Sequence, residues 1–131
     1  MKKITIQMIN IYKITNIDFM GYKLMEKDTY DFHHIYKKEH GGKYSLDNGA
    51  VLCHSSSHRY LHTIEYKDLD MYVYINKILK DINNQGYLPT KEQLLLIFDC
   101  LDRFEKEYSG ATNSKGKPLI KEEYTKRKII Y

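Results

Sequence analysis

Two apolar stripes in the second half of the chain limit the fold more than any other feature. Leu69, Tyr72, Val73, Ile75, Ile78, Leu79 and Ile82 recur mostly at spacings of three and four. That period belongs to an α-helix with one face against a core. Asn83-Asn84-Gln85-Gly86 then stops the pattern, because glycine and asparagine favour helix ends. The second stripe is Leu94, Ile97, Phe98, Leu101, Phe104 and Tyr108. Pro89-Thr90 opens it, Gln93 stands where a capping box needs it, and Ser109-Gly110 closes it. Helices are expected over 68–82 and 90–108, with both stripes as core packing.

The first half reads differently. Ile4, Ile6, Met8, Ile9 and Tyr12 fit a strand or a short helix equally, within an irregular stretch over residues 1–30. Tyr30, Phe32 and Ile35 flank two histidines and read as the end of a strand. Gly41-Gly42 and Asp47-Asn48-Gly49 mark turns. Ala50-Val51-Leu52-Cys53 is an apolar run of strand length. Ser55, Ser56 and Ser57 are each suited to capping a helix from about His58 to Glu65.

A chain of 131 residues suits one domain. No apolar run approaches the roughly 20 residues of a membrane span. Met1 to Ile6 resembles the start of a signal peptide, but Gln7, Asn10 and Lys13 interrupt any apolar continuation. The chain is therefore read as cytoplasmic, with no membrane contact. Cys53 and Cys100 make no CxxC pair and read as reduced thiols, Cys53 as a small buried apolar residue. The net charge is +4, and residues 109–131 hold six basic against two acidic side chains. Residues 111–118 read as a linker and 119–131 as a basic tail. Lys126, Arg127 and Lys128 are its candidate phosphate contacts. The alternative for the tail is a solvated segment that aids solubility.

All six histidines lie between His33 and His62. His58 and His62 are four apart, so on a helix both rings can reach one ion. Two imidazoles leave a metal under-coordinated, and the third ligand would come from His33 or His34. Adjacent strand residues point to opposite faces. If His33 faces the ion, His34 is free to act as a base, and a hydrolytic site needs that division.

These elements together resemble the HNH nuclease motif, in the histidine-rich form of DNase-type colicins. The matching stretches are Phe32-His33-His34-Ile35, Gly41-Gly42, Asp47 to Cys53, and His58-Arg59-Tyr60-Leu61-His62. The resemblance covers roughly residues 30–66. It implies an α+β fold with a ββα-metal core; around that core the residues themselves read as an N-terminal extension over 1–29, a helical part over 67–110 and a basic C-terminal tail over 111–131. It implies His33, His58 and His62 as ligands of one divalent ion. His34 would be the general base that activates water, and Asn48 would hold the long loop and help orient that base. The helix carrying His58 and His62 would lie in or near the minor groove of DNA. Three imidazoles favour zinc or nickel, whereas nucleases of this type often work with magnesium or manganese.

The chain also departs from the motif. Cys53-His54-Ser55-Ser56-Ser57 stands where many family members carry a zinc-clamping CxxC, and the segment before His58 is about one residue longer than usual. His54 is therefore a substitute ligand to consider. Asp31 fits an outer-shell role or a turn. Arg59 fits a phosphate contact or a plain surface position, and His40 an exposed one. The expected function is a metal-dependent DNA endonuclease. The alternatives are a weak or inactive scaffold acting as an accessory or inhibitor protein, and a metal-stabilised structural module. A protein partner or homodimer, the target sequence and the working metal are left open.

Overall fold

The computed structural model describes residues 1–126, 128 and 129. Helix α1 (Lys3–Tyr12) comes first, then strands β1 (Tyr30–His34) and β2 (Gly49–Cys53). A single π-helical turn, His54–His58, leads into α2 (Arg59–Lys67). Helices α3 (Leu69–Gln85), α4 (Lys91–Tyr108) and the short α5 (Glu122–Lys126) follow. The class is α+β. Among the described residues no helix is long and apolar enough to cross a membrane.

The two strands pair antiparallel, with Tyr30 opposite Cys53, Phe32 opposite Val51 and His34 opposite Gly49. The loop between them turns back at Gly41-Gly42. Gly41 has φ 96°, a left-handed conformation open to glycine. A Cβ on Gly42 would stand 1.8 Å from the Tyr36 carbonyl oxygen, so the loop closes only because that atom is missing. Strand β2 is buried along its whole length.

The helices follow their apolar stripes. Leu94, Ile97, Leu101 and Phe104 of α4 and Ile75, Leu79 and Ile82 of α3 lie in one core with Leu52, Leu61 and Ile64. Thr90 caps α4: its hydroxyl accepts from the Gln93 backbone N–H, and the Gln93 side chain accepts from the Thr90 N–H. Replacing an N-cap threonine by alanine costs about 1 kcal/mol. Thr90→Ala should therefore lower the urea midpoint by that equivalent and leave the slope unchanged.

Of the two readings left open near the start of residues 1–30, the helix forms, and the rest up to β1 is irregular; the stretch is nonetheless part of the common core, with Met8, Phe19, Met20 and Tyr22 fully buried. One expectation from sequence is corrected. The serines do not cap a helix. The chain instead makes a π turn, and Ser57 donates its hydroxyl to Asp18 at 2.5 Å. A π turn takes in one more residue than an α turn. The order of the C-terminal stretch, open from sequence, is visible here: Leu119 and Tyr124 are buried and Tyr22 pairs with Lys128 as an isolated bridge.

Asp18 ties these parts to the sheet. Its carboxylate is fully buried and accepts from the backbone N–H of Met20, Tyr22 and Cys53 and from Ser57. Burial raises its pKa, and the four donors oppose that rise. The N-terminal loop, the end of β2 and the π turn thus meet on one side chain.

Candidate metal centre and its cavity

The alternation of β1 sends neighbouring histidines to opposite faces. His33 is 2% exposed and turns toward α2 and α3, with its ring 5.5 Å from that of His58 and 5.8 Å from that of His62. His58 closes the π turn and His62 stands one helical turn further on. One nitrogen from each of the three lies within 4.8 Å of the other two.

The outer partners determine which nitrogen is left for a ligand. Asn76 donates its amide N–H to the Ile35 carbonyl, so its oxygen faces His33 Nε2 at 2.8 Å and must accept from it. Nδ1 of His33 then carries the lone pair. His58 Nδ1 donates to Asp31 at 2.8 Å, and His62 Nδ1 donates to Glu65 at 3.0 Å. Nε2 of His58 and Nε2 of His62, the nitrogens that those carboxylate bonds leave over, stand 3.2 Å apart. Both would be ligands to a cation held there. Each imidazole also has an oxygen acceptor on its remote nitrogen, the arrangement that orients histidine ligands.

The protonation states agree with this geometry. Burial, opposed by the Asn76 bond and aided by the nearby His58 and His62 rings, brings the His33 pKa down to about 3. Burial likewise lowers that of His58, against the opposing pull of Asp31. Both rings are neutral at pH 7, the form that binds metal.

His34 lies on the other face of β1. Its ring packs edge-on against Tyr44 at 4.2 Å and Phe32 at 4.9 Å. Nε2 is buried with no hydrogen-bond partner, so Nδ1 is the nitrogen that a water can reach. Burial lowers its pKa, and Lys38, Lys2 and His58 add to the effect. It too is neutral at pH 7 and able to accept a proton. His33, His34, His58 and His62 line one cavity of about 670 Å³, with Lys37, Lys38 and Tyr72 on its rim.

Asn48 closes the long loop. Its oxygen accepts from the Tyr36 N–H at 2.7 Å, and its amide donates to the carbonyls of Tyr36 and Lys43. No hydrogen bond joins it to the His34 ring among the described residues. It meets the backbone just after His34 instead: the Ile35 N–H donates to the Asn48 carbonyl at 3.0 Å, next to the Tyr36 bond.

His54 stays outside the cluster. It donates from Nδ1 to the same Asp31 oxygen that His58 uses, at 2.7 Å. Asp31 is thus an outer-shell carboxylate that accepts from two histidines. His40 is exposed in the loop. Arg59 is exposed on α2 beside His58. Lys126 is exposed and pairs with Glu122. Lys128 is not open to a phosphate: its side chain is 9% exposed and its ammonium is held by Asp102 and Glu105. Arg127 lies outside the described residues. Cys53 is buried, and burial raises its thiol pKa far from the thiolate range.

Sequence reasoning passed over Glu65 and Asn76. Glu65 follows His62 by three residues, a spacing that could have revealed it. Asn76 lies on α3, outside the motif, and nothing marked it. Truncating an outer-shell partner typically costs 10–100-fold in metal affinity. Asn76→Ala should raise the zinc dissociation constant by about that factor in a competitive chelator titration. Comparison of the chain with protein-family models, with curated proteins and with solved structures finds no match.

Proposed function

We propose that this chain is a metal-dependent endonuclease of the HNH class that hydrolyses phosphodiester bonds of DNA. One observation carries the reading. Three imidazoles converge, each with one nitrogen within 4.8 Å of the other two, and a fourth, His34, lines the same cavity outside that cluster. A structural metal site has no use for that fourth ring.

His33, His58 and His62 would hold one divalent ion, zinc or nickel by affinity and magnesium or manganese for turnover. When bound, that ion supplies Lewis-acid stabilisation of charge on the phosphate and on the leaving 3′ oxygen. His34 accepts a proton at Nδ1 from the attacking water. Tyr44 and Phe32 hold its ring, and Asn48 fixes the loop that follows it. Asp31, Glu65 and Asn76 keep the three ligand rings in their tautomers.

The test is cleavage of an end-labelled DNA duplex in each metal. Attack by water with departure of the 3′ oxygen leaves 5′-phosphate and 3′-hydroxyl ends. Ends of the opposite polarity, or an uncut duplex in every metal, would contradict the proposal.

A further inference from the structure

A second cavity, of about 610 Å³, lies on the far side of the ligand pair. His58 and His62 line both cavities, so the two hollows flank one ridge. The second is walled by α2 on one side and by residues 112–121 on the other. Thr112 pairs with Pro118 as an isolated bridge, and the Asn113 side chain accepts from the N–H groups of Lys115 and Lys117. The segment that reads as a linker is therefore a closed turn, which carries Thr112, Asn113 and Ser114 to the groove.

Its charge is one-sided. The lining holds Arg59, Lys67 and Lys121 against the single carboxylate of Asp31, which already accepts from two histidines. All three cations are exposed, and none makes an ion pair among the described residues. A small anion needs one such hollow. A polyanion that crosses the ligand ridge needs a hollow on each side, with cations in both; Lys38 supplies one in the first, where Lys37 is already paired with Glu39 and Glu65.

We infer that residues 112–121 and α2 form a second backbone-binding wall, so that a DNA duplex spans both cavities with its phosphates flanking the ridge on Lys67, Lys121 and Arg59. The inference rests on the proposed nuclease reading for the identity of its polyanion. Counterion release provides the readout, because each lost lysine–phosphate contact lowers the salt slope of binding by about 1.

Binding of a fluorescent duplex is measured by anisotropy in EDTA, where no cleavage step enters, across a range of salt. The pair Lys67→Gln and Lys121→Gln is expected to lower the slope by about 2. The pair Lys77→Gln and Lys91→Gln removes the same charge from exposed positions outside the groove and should leave the slope near that of the parent chain. Equal slopes in the two pairs, or no binding of the duplex by the parent chain, would overturn the inference. A chain that shows the expected slopes but never cuts DNA overturns the hydrolase reading and leaves the wall standing. One that cuts, with the groove pair unchanged in slope, overturns the wall alone.

Discussion

His34→Ala is expected to lower the rate of DNA cleavage by about 10²–10⁴-fold, the range that a positioned general base contributes, with metal affinity unchanged. The separation follows from the strand. His33 and His34 leave β1 on opposite faces, and only His33 reaches the cluster with His58 and His62. The His34 ring packs on Tyr44 and Phe32, so truncation leaves a gap there. His34→Gln fills more of it and should be as inactive, which separates lost chemistry from lost packing. The pH profile adds a second check. A base whose pKa lies below 6.5 stays unprotonated down to that pH, so activity should hold at neutral pH and fall only in acid. Equal cleavage by the parent chain and both variants would remove His34 from the mechanism.

The second large effect is on stability. Ligand binding to the native state stabilises it by about 4 kcal/mol when free metal stands at 1,000 times the dissociation constant. In a domain of this size that corresponds to a rise in melting temperature of roughly 10–20 °C. The structure gives the rise a local origin, since the Nε2 atoms of His58 and His62 stand 3.2 Å apart with both Nδ1 protons committed to carboxylates. Zinc should produce the rise and EDTA should reverse it. In His62→Ala, loss of one ligand should weaken binding at least a hundredfold, which removes about 2.7 kcal/mol of the gain. His62 is exposed, so its truncation leaves the core intact and the comparison clean. An equal rise in the two chains would show that zinc stabilises through some other group.

Much of this was legible in the residues. The stripes of α3 and α4 are long, periodic and bounded by strong stop signals. The capping box at Thr90 and Gln93 needed only local spacing. The histidine cluster combined two short-range rules, the helical i, i+4 pair and the alternation along a strand. What escaped depended on long-range contact. Asn76 bonds a histidine 43 positions away, and on an amphipathic helix an asparagine that faces a site looks like one that faces water. Residues 1–29 carry no long period because, beyond the short helix that buries Met8 and Tyr12, their core contacts come from a loop around Asp18, whose four donors lie as far off as Ser57. Lys128 reads as a free basic residue until Asp102 and Glu105 are brought beside it.

The most direct test of the central claim is conversion of supercoiled plasmid by the purified chain, in EDTA and then with magnesium, manganese, zinc and nickel in turn. Nicked or linear product with at least one metal, and none in EDTA, is the expected result. Plasmid that stays supercoiled in every metal, from a chain that demonstrably binds one ion, would contradict it.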